Sequence, residues 1–191
     1  VANAIDQHSS TRTDPIGRFN RTFINVFTLI FGSMEQVERS ARRVHAVHNH
    51  IHGELVEDSG AFADGSYYQA NEAHAMLWVH ATLWDTQVRM YELVLGELSP
   101  EAKEAYYQET RRFAWLFGIP DELIPQDWNA FQHYMERMYA SDVLTVGAVG
   151  REMGEMIFSF DMPFAKMPLN WLRTLTAEML PEHLARDFGL P

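Results

Sequence analysis

Apolar side chains recur along most of this chain at three- and four-residue steps, the period of a helix that buries one stripe. Phe19, Phe23, Val26, Phe27 and Ile30 keep that spacing as far as Gly32. The aromatic and β-branched content of residues 22–31 leaves a strand as the alternative for that stretch. Ser33-Met34-Glu35-Gln36 fits a capping box, a cap hydroxyl followed three residues later by a side-chain amide, so a second helix opens there. It is expected to run to about Gly53, with Val37, Ala41, Val44, His48, Ile51 and Leu55 on its apolar stripe. Residues 1–15 are polar and read as irregular. Asp14-Pro15 marks a turn or helix entry, because the residue before a proline is pushed out of the helical region, and order is expected to begin near Ile16.

Further along, residues 53–65 mix acids and glycines and read as a loop. Asn71 is a plausible cap for a long helix through Leu95, closed by Gly96. Ser99-Pro100-Glu101 is a strong helix start, and Gly118 followed by Pro120 is a strong stop. Asp127 can cap a helix to Tyr139, and Ser141 or Asp142 can cap another to about Phe160. Met162-Pro163 and Met167-Pro168 interrupt the pattern before a short helix near residues 170–179 and a last one after Pro181, stopped by Gly189. No repeat and no convincing hairpin signal is present. The expectation is all-α: a single compact multi-helix domain over residues 1–191.

Composition narrows the function. With 191 residues, 47% of them hydrophobic, one core of useful size can form. Fifteen Lys and Arg against 26 Asp and Glu leave a net charge of -11, the wrong sign for tracking phosphates, so nucleic acid is not an expected partner. Cysteine is absent, which excludes thiolate chemistry and Cys-ligated metal; any metal must use imidazole or oxygen. No apolar run approaches the ~20 residues of a membrane span, and no signal peptide is visible, so a cytoplasmic location is the default expectation. The chain starts on Val1 rather than Met, so further sequence is expected to precede it.

Candidate chemistry gathers in three places. Arg43 to Gly53 holds four of the nine histidines, His45, His48, His50 and His52. Helical phase puts His48 in the stripe with His45 and His52 flanking it, and turns His50 to the opposite face. Inward histidines are either hydrogen-bonded core residues or ligands for iron, zinc or copper. His48 and His52 are spaced to chelate one metal, but Asn49 stands where a zinc hydrolase would carry glutamate. His80 shares a second stripe with Leu77, Trp84, Val88 and Tyr91 and also faces inward. Arg18 and Thr22 lie one turn apart with Arg21 beside them, forming either surface ion pairs or a pocket for an anion or oxygen ligand.

Taken in order, several segments resemble the MpaB-like family that includes the catalytic domain of rubber oxygenases, the latex-clearing proteins. They are Asp14-Pro-Ile-Gly-Arg18-Phe-Asn-Arg21-Thr22, Phe31-Gly32, His48-Asn-His-Ile-His-Gly53, Tyr68-Gln-Ala70, Leu77-Trp-Val-His80-Ala, Leu123-Ile-Pro125, Leu180-Pro181 and Phe188-Gly189-Leu190. The resemblance implies a haem-binding helical bundle of distantly globin-like character and a haem b-dependent oxygenase. Its partners would be a small hydrophobic substrate and dioxygen or peroxide. His48 resembles the proximal iron ligand, with His45, His52 and Arg18 as further cofactor contacts. Arg18, Arg21 and Thr22 resemble the distal Arg, Lys and Thr, and His80 is a candidate to line the pocket or shuttle protons.

Two departures stand out. Arg21 occupies the place of a lysine that can ligate iron in a closed state, and a guanidinium, always protonated, cannot. The rubber enzymes also use a carboxylate upstream of the arginine as a base, where this chain offers only Asp6 and Asp14. Two alternatives therefore stay open: a haem-binding or sensing module without turnover, and a non-haem metal enzyme built on His45, His48, His52 and His80 with a carboxylate.

Overall fold

The computed structural model describes residues 1–11, 13–158 and 166–191. Among them are nine α-helices and one two-stranded sheet. Helix α1 (Ala2–His8) comes first, so the polar N-terminus is not irregular as its composition suggested; it docks along α7 (Ala148–Phe158). Helix α2 (Pro15–Phe31) starts where Asp14 accepts the Gly17 amide at 2.9 Å, with Pro15 in the first turn where its missing N–H costs nothing. It is helical throughout, and the strand alternative for residues 22–31 falls.

Gly32 and Ser33 link α2 to α3 (Met34–His48), and the two helices pack on each other as an αα-hairpin. The capping box forms as read: the Ser33 amide donates to Gln36 Oε1 at 2.7 Å, and the Gln36 amide returns to Ser33 Oγ. However, α3 stops at His48 rather than near Gly53. Asn49 closes it, and the chain turns into β1 (His52–Glu54), which pairs antiparallel with β2 (Tyr67–Gln69) in the register His52↔Gln69. The hairpin signal was weak because neither three-residue strand carries an alternating pattern long enough to read.

Helix α4 (Ala73–Leu95) is capped by Glu72, whose carboxylate accepts from the His74 and Ala75 amides, and not by Asn71. Helix α5 (Pro100–Leu116) matches its sequence signals, with Ser99 accepting the Ala102 amide and Gly118 leaving the helix at φ 75°. After a single 3₁₀ turn at Asp121–Leu123, Asp127 caps α6 (Trp128–Tyr139) as expected. Neither Ser141 nor Asp142 caps α7. Glu57, 91 residues away, does so by accepting the Ala148 and Val149 amides at 2.9 and 3.1 Å. The expected end near Phe160 and Met162-Pro163 lie outside the described residues. Met167-Pro168 does not precede α8 (Lys166–Met179) but lies within its first turn, and α9 (Glu182–Asp187) ends before Gly189.

The main core is built by α4, α5 and α6. Ala81, Tyr107, Ala114 and Phe131 are fully buried there, with Leu77, Trp84, Ile119, Ile124 and Met135 around them. Tyr107 and Phe131 stack at 5.0 Å, Trp84 meets Tyr107 edge-on at 5.9 Å, and the buried Tyr107 hydroxyl donates to the Pro125 carbonyl at 2.7 Å. A smaller cluster, Leu29, Val37 and Ala41, holds the α2–α3 hairpin against Phe113, Leu116 and Phe117 at the end of α5. The rest of α2 is open. Phe19, Phe23, Phe27 and Phe31 form a ladder of rings and remain 67%, 55%, 52% and 69% exposed.

Candidate functional site

The hairpin geometry brings the histidine segment and the Arg18 segment to one end. Arg18 and His48 each lie about 20 Å of helical rise from the Gly32-Ser33 link, at the open end of the pair. Arg18 is half-buried and donates from Nη1 to Thr11 Oγ1, so the turn between α1 and α2 holds its guanidinium. Burial, then the neighbouring Arg21 charge, lowers its pKa, yet a guanidinium stays protonated at neutral pH. Arg21 is exposed and ties the same turn from outside, reaching Asp14 Oδ2 at 3.1 Å and Ser10 Oγ at 2.9 Å. Thr22 is exposed one turn beyond Arg18. Of the two readings of this patch, the surface ion pair describes Arg21.

His48 is the last residue of α3 and is half-buried. Burial is the main cause that depresses its pKa; the Asn71 carboxamide opposes this and His45 adds slightly to it, so the ring is neutral at pH 7. Its Nδ1 is buried without a hydrogen-bond partner. His45 and His52 are exposed. His45 lies inside α3, about 100° round the helix from Val44, and faces solvent rather than inward as expected. For His52 the end of α3 is the reason: a residue four places past His48 would have returned to the same face of a continuing helix, but His52 opens β1 instead. There its ring lies 6.0 Å from Tyr67, and its carbonyl is 3.1 Å from His8 Nε2. The helical spacing on which a His48–His52 chelating pair rested is therefore lost. His50 turns away as phase required, its Nδ1 2.9 Å from the Ala46 carbonyl.

His80 is partly buried on α4, on the side of Leu77, Trp84 and Val88 that its stripe predicted, although Tyr91 of that stripe is exposed. Its ring packs 5.8 Å from Trp84 and 5.0 Å from Phe117. Burial pushes its pKa down to about 4, so at neutral pH it is a neutral, packed ring, poorly matched to shuttling protons. Phe117 is shared with the hairpin cluster, so His80 stands behind the α2–α3 contact. Among the described residues no three His, Asp or Glu side chains gather as a metal shell, so His45, His48, His52 and His80 do not assemble the non-haem site that their spacing allowed.

Sequence reasoning missed Asn71. Its Nδ2 donates to the His45 carbonyl at 3.2 Å and to Asn49 Oδ1 at 2.7 Å, fastening the end of α3 to the start of α4. It was legible only as a helix cap, because both partners are reached through the fold. Helix α1 meets the β hairpin through Gln7 Oε1, which accepts the Tyr68 hydroxyl at 2.8 Å.

The open end of the hairpin thus carries a half-buried neutral imidazole, His48, and a half-buried guanidinium, Arg18. The sequence profile described as "ER-bound oxygenase mpaB/B'/Rubber oxygenase, catalytic domain" matches residues 1–191, and the chain belongs to that family of oxygenases. Two curated relatives are similar, the uncharacterized proteins Mb2261 of Mycobacterium bovis and Rv2237 of Mycobacterium tuberculosis. Each is 32% identical over 85 residues, which is 44% of this chain. The matched stretch spans about a third of the length of those relatives, 32% of each. No solved structure matches, so the globin-like comparison goes no further. No helix among the described residues is long and apolar enough to cross a membrane.

Proposed function

We propose that this domain is a haem b-dependent oxygenase acting on a hydrophobic organic substrate with dioxygen, in which His48 would ligate the iron. The observation that carries the reading is His48 itself. An axial imidazole must be neutral, partly withdrawn from water, and have a nitrogen lone pair to spare. Burial keeps His48 neutral, and a neutral imidazole that carries its proton on one nitrogen keeps the lone pair of the other for iron. Haem, when bound, supplies the iron-centred dioxygen chemistry of this class of oxygenase.

The other residues take supporting parts. A guanidinium has five N–H donors, and Arg18 gives one to Thr11, so it retains donors for an oxygen atom on the far side of the site. Arg21 and Asp14 brace that end of α2 from the surface, and Thr22 adds a hydroxyl one turn on. His80 backs the hairpin as a neutral wall. The apolar surface of α2 beside Arg18 suits an apolar substrate.

The test is an absorption spectrum of protein produced with haem available. A Soret band is expected, lost or shifted in His48→Ala; no band, or one unchanged by that substitution, overturns the assignment. A second reading, haem binding without turnover, is favoured by one observation. The Asp14 carboxylate is committed to the Gly17 amide and to Arg21, which removes one of the two upstream carboxylates as a base. Dioxygen uptake that does not rise on adding an apolar alkene would select that reading over the oxygenase.

A further inference from the structure

The carboxamide of Asn71 can be oriented without ambiguity. Its Nδ2 meets the His45 carbonyl at 3.2 Å and Asn49 Oδ1 at 2.7 Å, and a backbone carbonyl can only accept. Turning the amide over would set oxygen against oxygen, so Nδ2 stays on that side and spends both hydrogens there. Asn71 Oδ1 is then a pure acceptor, and it is buried without a partner. His48, whose Nδ1 is likewise buried without a partner, stands between the two residues that Asn71 grips, His45 and Asn49, and the Asn71 carboxamide favours the protonated form of the ring. A neutral imidazole carries one N–H and one lone pair, and which nitrogen holds the proton follows the hydrogen bond available. Placing the proton on Nδ1 satisfies both orphaned atoms at once, since buried polar groups are almost always paired.

We infer that Asn71 is the positioning residue for His48: its Oδ1 accepts the Nδ1 proton, fixes the ring in that tautomer and leaves Nε2 as the nitrogen for a ligand. The inference rests on the reading of His48 as an axial ligand, because an acceptor behind the imidazole sets its orientation and basicity toward a metal. The same side chain also fastens the end of α3, so the imidazole and the helix that carries it are set by one residue of α4's approach.

The first test needs no haem. In the full chain with ¹⁵N-labelled histidine, at a pH where His48 is neutral, long-range ¹H–¹⁵N spectra are expected to show the proton on Nδ1. Asn71→Leu should lose that preference and Asn71→Asp should keep it. Both substitutions remove the two Nδ2 donations, so the difference between them reads the acceptor alone and separates positioning from a structural role. A proton on Nε2 in the wild type, or the same tautomer in both variants, overturns the inference. In haem-loaded protein, Asn71→Asp should lower the iron midpoint potential and Asn71→Leu should raise it; equal potentials would overturn the transmission to iron. Failure of the His48→Ala Soret test would instead remove the ligand assignment and leave the tautomer result standing.

Discussion

Two regions of this molecule use the same aromatic residues at the same helical spacing and treat them oppositely. Between α4, α5 and α6, Trp84, Tyr107 and Phe131 interlock and exclude water. On α2, Phe19, Phe23, Phe27 and Phe31 meet ring to ring along the helix and stay more than half exposed. Period decides which face a side chain occupies; whether that face is buried depends on a partner element. The hairpin is anchored by apolar contact only near its turn, through Leu29, Val37 and Ala41. Its open end, which carries Arg18 and His48, is tied by polar contacts to Thr11 and Asn71. The stable half of the fold and the chemically equipped half are therefore different halves, the usual division between scaffold and site.

The largest effect that could break this comparison is in the core. Phe131→Ala removes a fully buried ring in contact with Trp84, Tyr107 and Trp128. It should cost about 3–5 kcal/mol, the range for large-to-small aromatic truncation with a residual cavity. Urea unfolding followed by tryptophan fluorescence measures it. A loss below about 1 kcal/mol would mean the aromatic cluster is not where stability resides.

Next comes the pH dependence set by His80. Its folded pKa of about 4 lies below the ordinary 6.5, so the unfolded chain binds this proton first as pH falls. Stability from this group is complete above pH 6.5 and is lost as pH drops toward about 4, by about 3 kcal/mol at most. His80→Phe keeps the packing against Trp84 and Phe117 and should remove that part of the slope. The check is the difference between wild-type and variant unfolding free energies across this window. Parallel curves would show that the ring is solvated in solution.

How much of this was readable beforehand follows the reach of each signal. Helix α5 was legible because its start and stop are local, Ser99-Pro100 at one end and Gly118 at the other. The start of α3 was legible for the same reason. Its end was not: Val44, His48, Ile51 and Leu55 continue the period, and what halts the helix is pairing of His52 with Gln69 and the Asn71 bond to the His45 carbonyl. That one boundary carried the error on His52 into the candidate site, whereas His48 and His80, inside established helices, lie on the faces that phase assigned. Helix α7 shows the limit most plainly: Ser141 and Asp142 read as caps, but the helix opens only at Ala148, and Glu57 arrives through the fold to accept its first amides.

On the hairpin side, Ser33→Ala should cost about 1 kcal/mol, the usual loss for an N-cap hydroxyl. Only one bond of the capping box goes, the long one from the Gln36 amide at 3.4 Å, while the Gln36 side chain still reaches the residue 33 amide. The loss should appear first as faster amide exchange in the opening turn of α3. Protection in α4 to α6 should be unchanged, because the hairpin shares only its small cluster with the end of α5. Equal loosening of both regions would show that the two halves unfold as one unit and that the contrast between them is not energetic.

The smallest effect sharpens the comparison most. Phe23→Ala removes a ring from the middle of the exposed ladder, whose neighbours stand at 6.2 and 5.7 Å. Two exposed ring contacts are worth about 0.5 kcal/mol or a little more, and alanine returns about the same through its higher helix propensity. The net change in urea unfolding should fall within about 0.5 kcal/mol of zero. The same substitution type thus costs several kilocalories in α6 and nothing measurable in α2. A loss of more than about 2 kcal/mol at Phe23 would require that the ring be desolvated in solution, and the ladder would then belong to a covered face.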